Sequence, residues 1–236
     1  MCSRKMKEYK AIFIDWDDTI GDFQYAENKA LWDVYHHAGL DNVFDRFELY
    51  YNQYHENNLY LWELYGQGKI SKKSLQFSRF LYPIKNLLGV DREWELAETM
   101  GDEFLELTNE YFRLLPNAEE VIRYLANKYP LTIVSNGFVE VQYNKIELSG
   151  LKDCFKHVLL SEEVGIAKPS VGIFEKALEL NGVDKSEVLM IGDSYKSDIQ
   201  GAINAGIDQL WITPDIDDSR EATYKVANIL DVMNIV

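Results

Sequence analysis

Cysteine is scarce in this sequence, and its scarcity excludes two classes of small protein. The 236 residues include only two cysteines, Cys2 and Cys154. Two thiols cannot build a disulfide framework or a cysteine-rich zinc site. The fold must therefore depend on an apolar core, and an apolar fraction of 47% is large enough to form one. A disordered chain is excluded on the same ground.

Basic residues are also few in comparison with acidic ones. The chain has 24 lysines and arginines against 39 aspartates and glutamates, which gives a formal net charge of −15. A surface this negative repels nucleic-acid phosphates and anionic lipids, so we expect no nucleic acid and no membrane as partner. A small anionic substrate would require positive charge at the binding site itself.

Long apolar runs are missing as well. The charged N-terminal segment is followed by a short apolar run, Ala11–Ile14. This run is much shorter than the apolar part of a signal peptide or a membrane-spanning helix. We expect a cytoplasmic protein that is a monomer or a weak homodimer.

Strand and helix patterns alternate over most of the chain. Residues 9–15, YKAIFID, combine a short apolar run with β-branched and aromatic side chains, which is typical of a buried strand. After Pro116 strand and helix patterns alternate, which predicts βαβ units and a parallel sheet. The sequence therefore predicts an α/β fold with a Rossmann-like parallel sheet. The later predicted strands are 131–135, 157–160, 188–191 and 209–212, and the predicted helices are 117–128, 138–148, 171–180, 197–205 and a terminal helix near 226–235.

Residues 21–115 have a helical pattern instead. Apolar side chains recur at steps of three and four, as at Phe44, Phe47 and Tyr51. This spacing predicts a bundle of about four helices inserted into the α/β domain. The predicted domains are an α/β core of residues 1–20 and 116–236 and an inserted helical domain of residues 21–115.

Aromatic side chains are concentrated in this insertion, which holds 19 of the 31 aromatic residues. Two interpretations are open: a wall that stacks on a nucleobase, or the core of the bundle. Their helical spacing favours the bundle core. The aromatic residues considered are Tyr50, Tyr51, Tyr54, Tyr60, Trp62 and Tyr65.

Polar residues follow four predicted strands, at the sheet edge where ligands bind in open parallel sheets. Four of these residues, Asp15, Asp17, Asp193 and Asp198, would repel one another by several kcal/mol if brought together. Either some of them are protonated or a cation lies among them. A small cluster of oxygen ligands favours Mg²⁺.

The same edge offers groups that attract an anion. Lys168, the Ser135 hydroxyl and the amides of Asn136 and Gly137 form a cradle for one. A metal site beside an anion cradle and a carboxylate is an arrangement for phosphoryl transfer. Each residue alone has a plainer explanation as a turn, cap or surface residue, so the hypothesis depends on the ordered set.

These residues lie in four ordered motifs: DWDDT, VSNG, Lys168-Pro169 and GDSYKSD. Together they resemble the motifs of the haloacid dehalogenase-like (HAD) superfamily of phosphohydrolases. The insertion after the first motif is similar to the helical C1-type cap of that superfamily. The stretches VSNGF, SEEVGIAKP and VLMIGDS most resemble the pyrimidine-type 5′-nucleotidase branch.

The resemblance implies a role for each residue of the motifs. Asp15 would be the nucleophile that attacks phosphorus and forms an aspartyl-phosphate. Asp17 would protonate the leaving oxygen and later deprotonate water, and its main-chain carbonyl would be a Mg²⁺ ligand. The Asp15 and Asp193 side chains would complete the metal site, and Asp198 would hold a metal-bound water or orient Lys168. The phosphoryl oxygens would be bound by Ser135, Asn136, Gly137 and Lys168.

The implied activity is that of a Mg²⁺-dependent phosphomonoester hydrolase acting on a small phosphorylated substrate, a nucleoside 5′-monophosphate in the branch that the chain resembles. A sugar-phosphate or phosphoglycolate phosphatase would share the core and differ in the cap. A 2-haloacid dehalogenase needs neither a metal nor an acid at residue 17, so Asp17 and Asp193 argue against it. The other alternative is a non-catalytic binding module.

Asp18 is the one departure from the superfamily pattern. Glycine is most common at this position, although acidic residues occur there in the nucleotidase branch. Asp18 adds a negative charge near the site, and its plainest interpretation is a cap of the following turn.

Overall fold

A computed structural model describes residues 7–236, and these form two compact units. One unit contains the described residues up to Asp22 together with Arg113–Val236, and the other is Phe23–Phe112. Cys154 is a half-buried free thiol, and Cys2 lies outside the described residues.

The first unit is built on a parallel sheet of six strands in the order β3-β2-β1-β4-β5-β6. Every strand pair in this order is parallel, which confirms the predicted α/β fold. All four residues of β1 are buried, as expected for a central strand covered on both faces. The strands are β1 (Ala11–Ile14), β2 (Leu131–Ser135), β3 (Phe155–Leu160), β4 (Val188–Gly192), β5 (Asp208–Ile212) and β6 (Tyr224–Val226).

The helices of this unit follow the strands in the alternating pattern that the sequence predicts. Short 3₁₀ turns at Lys152–Cys154 and Lys185–Glu187 precede β3 and β4, and a π-helical turn at Tyr195–Ile199 leads into the last α-helix. Aliphatic and aromatic side chains from strands and helices, among them Phe13, Val134 and Phe174, form one buried core. The α-helices are α5 (Ala118–Ala126), α6 (Val139–Leu148), α7 (Ser161–Val164), α8 (Val171–Asn181) and α9 (Gln200–Ala205).

The predicted terminal helix near 226–235 is wrong. Residues Tyr224–Val226 form β6, which pairs with β5 at the sheet edge, and Ile229–Asn234 form a 3₁₀ helix. A strand of three residues is too short to show an alternating pattern. Its backbone hydrogen bonds to β5 are a tertiary interaction that local sequence does not reveal.

The second unit is helical, with four α-helices and a 3₁₀ turn at Leu40–Asn42 within residues 23–112, all of which the structure describes. The predicted bundle core is confirmed for Tyr50 and Tyr54, which are fully buried among aromatic rings such as Phe80 and Phe104. Tyr60 is exposed instead. The helices are α1 (Phe23–His37), α2 (Phe47–Gly66), α3 (Lys72–Ile84) and α4 (Val90–Glu110).

The chain leaves and re-enters the sheet unit through two adjacent segments. Gly21 and Leu114 form an antiparallel bridge, and the Asp22 amide donates to the Arg113 carbonyl at 2.9 Å. The Arg113 guanidinium also binds the Asp22 carboxylate, with Nη2 at 2.6 Å from Oδ2. The two ends of the insertion are therefore fixed side by side on the α/β unit.

None of the described helices is long and apolar enough to span a membrane.

The strand order determines where a ligand can bind. The chain order reverses between β1 and β4, and the carboxyl ends of strands at such a reversal point form a crevice in open α/β sheets. Asp15 follows β1 and Asp193 follows β4. The acidic residues of the first and fourth motifs thus flank the crevice.

Close packing of α9 against α8 depends on a glycine. A methyl group at Gly201 would lie 2.7 Å from Cε2 of Phe174 and 3.0 Å from the Cα of Pro169. We expect Gly201→Ala to lower the free energy of unfolding by about 1–2 kcal/mol, since crowding outweighs the better helix propensity of alanine. Urea denaturation measures this, with the exposed Asn204→Ala on the same helix as control. Equal stability of Gly201→Ala and wild type would contradict the prediction.

Candidate active site

A buried ammonium group lies between two of the predicted site carboxylates. Lys168 Nζ is 2.5 Å from Oδ1 of Asp15 and 2.7 Å from Oδ1 of Asp198. The lysine side chain is 2% exposed, and that of Asp198 is completely buried. Ion pairs of this kind are not solvated, so both charges depend on each other for stabilisation.

Asp198 is held from several directions at the start of the last helix. Its Oδ2 accepts a hydrogen bond from the Ser194 amide at 3.1 Å, and its Oδ1 accepts from Ser197 Oγ at 3.2 Å. Gly192 makes room for this carboxylate, because a methyl group there would lie 2.4 Å from Oδ2 of Asp198. The geometry thus fixes Asp198 against Lys168.

Asp193 is anchored to the first motif as well as to the neighbouring strand β5. Thr19 Oγ1 donates to Oδ1 of Asp193 and accepts from the Asp193 amide, both at 3.1 Å. Trp211 Nε1 donates to the Asp193 carbonyl at 2.7 Å. Thr19 lies in the DWDDT motif, and its contact with Asp193 joins the ends of β1 and β4.

Three carboxylates meet at this crevice. Asp15, Asp193 and Asp198 each offer an oxygen, and these oxygens all lie within 4.8 Å of one another. The structure therefore brings together three of the four predicted metal residues through their side chains. The Asp17 carboxylate points to other partners, described below, and the expectation for Asp17 concerned its main-chain carbonyl.

Burial and mutual repulsion disfavour the ionised form of this cluster. Burial, reinforced by the charges of Asp198 and Asp193, raises the pKa of Asp15 well above its ordinary value despite the attraction of Lys168. Burial, together with the charges of Asp198 and Asp18, raises the pKa of Asp193 to about 7. Burial opposes the charge of Lys168, but the attraction of Asp15 and Asp198 outweighs it and raises the pKa of the lysine.

The cluster meets the chemical requirements of a small divalent cation. One ammonium cannot neutralise three carboxylates, and the remaining negative charge is what a cation would balance. The donors are all oxygen atoms, which suit Mg²⁺ better than softer metals.

Three of the predicted anion-binding residues, Ser135, Asn136 and Gly137, lie at the carboxyl end of β2. Ser135 Oγ accepts hydrogen bonds from the Gly137 amide at 3.1 Å and from Gln142 Nε2 at 3.2 Å. The Asn136 side chain binds the backbone of Lys168, accepting from its amide at 2.8 Å and donating to its carbonyl at 2.9 Å. Asn136 thus ties the second motif to the third.

Two residues that the sequence analysis missed bind the Asp17 carboxylate. Gln142 Nε2 lies 2.5 Å from Oδ2 of Asp17, and Lys145 Nζ lies 2.7 Å from Oδ1. Both residues are on α6 and are buried. Their spacing of three places them on one face of the helix, which is a signal that the sequence did contain.

The backbone at Asp18 accounts for the glycine that is common at this position. Asp18 has φ 59°, in the left-handed region that glycine adopts freely and aspartate tolerates. Its amide donates to the Gly21 carbonyl at 2.7 Å, which closes the turn after the first motif.

The sequence pattern of the haloacid dehalogenase-like hydrolase family matches residues 9–206. Among relatives, the HAD-hydrolase YfnB of Bacillus subtilis is 31% identical over 98% of this chain and 97% of its own length. The pyrimidine 5′-nucleotidase YjjG of Escherichia coli is 32% identical over 85% of this chain and 84% of its own length. A glyceraldehyde 3-phosphate phosphatase of Methanothermobacter thermautotrophicus is 31% identical over 94% of this chain and 93% of its own length.

The structural comparison agrees with the sequence comparison. The crystal structure of YfnB bound to magnesium has a TM-score of 0.83 to this chain, with 28% identity over 97% of this chain and 99% of YfnB. Fold and site define a hydrolase of the HAD type. The chain belongs to the haloacid dehalogenase-like hydrolase family, as its motifs predict.

We expect Gly192→Ala to weaken Mg²⁺ binding by about 10-fold or more, because the added methyl group displaces the Asp198 carboxylate and disturbs the cluster that it supports. Isothermal titration calorimetry with MgCl₂ measures the change. Gly172→Ala is the matched control, since the atom nearest to its added methyl group is the end of the flexible Ile166 side chain at 3.3 Å. Equal affinities of the two variants would contradict the prediction.

Mg²⁺ affinity is expected to rise with pH. A cation binds the ionised carboxylates, so protons compete with it below the pKa of Asp193, about 7. The dissociation constant is therefore expected to fall about 10-fold between pH 6 and pH 8. Titration calorimetry at several pH values in buffers of different ionisation enthalpy also counts the protons released. An affinity that is independent of pH, with no proton release, would show that the carboxylates are already ionised.

Proposed function

We propose that this protein is a Mg²⁺-dependent phosphomonoester hydrolase that reacts through an aspartyl-phosphate on Asp15. The observation that carries the proposal is the convergence of Asp15, Lys168 and the acidic pair Asp193 and Asp198 at the crevice between β1 and β4. Two relatives with substantial coverage support it by their names, one a pyrimidine 5′-nucleotidase and the other a glyceraldehyde 3-phosphate phosphatase.

The proposed reaction has two steps. A carboxylate oxygen of Asp15 attacks phosphorus, and the bond from phosphorus to the leaving oxygen breaks as Asp17 donates its proton to that oxygen. In the second step Asp17 takes a proton from water. The resulting hydroxide attacks phosphorus and releases inorganic phosphate from Asp15.

Residues around the crevice support this assignment of roles. Lys168 carries the positive charge that a phosphoryl group requires, and Asp198 fixes its ammonium group. Ser135 Oγ already accepts two hydrogen bonds, so its own proton is directed to a further acceptor such as a phosphoryl oxygen. Asn136 orients the backbone of Lys168 rather than offering its side chain to the substrate.

The metal would be held by the Asp15 and Asp193 side chains, with the Asp17 main-chain carbonyl as a further ligand and Asp198 behind them. Bound there, Mg²⁺ would neutralise carboxylate and phosphoryl charge. YfnB, a relative that shares the fold over nearly the whole chain, was crystallised with magnesium.

For the substrate we propose a nucleoside 5′-monophosphate, with residues 21–115 acting as the cap that covers the leaving group. The support is the likeness of the second, third and fourth motifs to the nucleotidase branch and the relationship to YjjG. A short sugar phosphate is a second candidate, because the glyceraldehyde 3-phosphate phosphatase relative is similar over nearly its whole length.

A substrate panel tests the proposal on wild type and Asp15→Asn together. We expect wild type with Mg²⁺ to release phosphate from nucleoside 5′-monophosphates, and Asp15→Asn to lose at least ~10³-fold in turnover because an amide is a poor nucleophile. The panel includes glyceraldehyde 3-phosphate, phosphoglycolate and a 2-haloacid, and malachite green detects phosphate.

The matched control is Asp153→Asn, an exposed aspartate of the same unit. It should keep wild-type turnover, and circular dichroism should show that both variants fold. Near-normal turnover by Asp15→Asn would remove Asp15 from the nucleophile role. Haloacid turnover that survives EDTA would favour a dehalogenase instead.

A further inference from the structure

The Asp17 carboxylate is bound on both oxygens by one face of α6. Lys145 Nζ lies 2.7 Å from Oδ1, and Gln142 Nε2 lies 2.5 Å from Oδ2. The lysine side chain is 3% exposed, whereas that of Asp17 is 27% exposed. A carboxylate that faces solvent would rotate among several orientations unless groups of this kind restrained it.

Lys145 and Gln142 each donate to a different oxygen of the Asp17 carboxyl group. Lys145 is an ammonium and donates only, whereas the Gln142 amide has both a donor and an acceptor end. In the orientation present, Gln142 Oε1 is buried and has no hydrogen-bond partner among the described residues. Two donors from one helix face therefore fix both oxygens of Asp17.

Gln142 also connects Asp17 to the anion-binding residues. Its Nε2 reaches Ser135 Oγ at 3.2 Å, so one amide touches both the proton-transfer group and a phosphoryl-binding hydroxyl. The close approach requires glycine at residue 137, since a methyl group there would lie 1.9 Å from Nε2 of Gln142. Glycine at residue 137 thus leaves room for Gln142, in addition to supplying a backbone amide.

We propose that Lys145 and Gln142 are positioning residues that hold the Asp17 carboxyl group in the orientation for proton transfer to the leaving oxygen. The inference rests on the proposed phosphatase function. It adds to that mechanism the residues that orient its general acid, Asp17. Neither residue belongs to the four motifs from which the family was predicted. The role is separate from binding the phosphoryl group or the metal.

The test uses two substrates that differ in their need for an acid. A nucleoside 5′-monophosphate has an alkoxide leaving group that requires a proton, whereas p-nitrophenyl phosphate has a weakly basic one that does not. We expect Lys145→Met to lower kcat/KM by about 10- to 100-fold for the nucleotide. For the aryl phosphate, kcat/KM should change less than about 3-fold. Gln142→Met should act in the same direction.

The ratio of the two kcat/KM values separates positioning from general damage, because a smaller folded fraction lowers both values equally. A double-mutant cycle adds a second readout. If Lys145 acts through Asp17, adding Lys145→Met to Asp17→Asn should change nucleotide kcat/KM by less than about 2-fold. If Lys145 has an independent structural role, Lys145→Met should lower nucleotide kcat/KM by the same factor in wild type and in Asp17→Asn.

Lys152→Met is the matched control. Lys152 is exposed, and its Nζ lies 2.7 Å from Oε2 of Glu147 on α6, the helix that carries Lys145. It should leave both substrates unaffected. An unchanged or raised nucleotide-to-aryl ratio in Lys145→Met, with wild type active, would overturn the inference and leave the proposed function intact. Absence of turnover by wild type on every phosphomonoester would overturn the proposed function, and this role with it.

Discussion

A single ammonium group between two buried carboxylates determines how the ends of three chain segments meet. Removing a charge from water costs several kcal/mol unless an opposite charge lies close by. Lys168 can therefore be buried only where Asp15 and Asp198 converge on it, at 2.5 and 2.7 Å. One positive charge leaves the acidic cluster undercompensated, and a bound cation would balance that deficit.

Most of this arrangement was predictable because parallel strands end at a common edge. Asp15 and Asp193 each follow a strand with a clear apolar pattern and Ser135 ends one, so the topology alone brings them together. Lys168 follows a longer connection after β3, so the strand pattern alone does not place it at this edge. Its position was predicted from the order of the motifs. Asp198 was expected either to hold a metal-bound water or to orient Lys168. The 2.7 Å between Lys168 Nζ and Asp198 Oδ1 favours the second role.

Other features were not predictable, for identifiable physical reasons. The rotation of α6 about its axis decides whether Gln142 and Lys145 face Asp17 or solvent, and polar residues at helical spacing are usually solvated. β6 has three residues and exists through its pairing with β5. In the helical unit, spacing predicted the buried Tyr50 and Tyr54, but burial differs among neighbouring aromatics because only one face of each helix packs inward.

The bridge between Gly21 and Leu114, with the ion pair of Asp22 and Arg113, has a consequence for evolution of the chain. Because both junctions are paired within the α/β unit, the excursion of residues 23–112 begins and ends at neighbouring points of that unit. Loop-closure entropy grows slowly with length, so segments of very different size can occupy this position at similar cost. The length and sequence of the excursion can thus change while every strand pairing of the α/β unit stays unchanged.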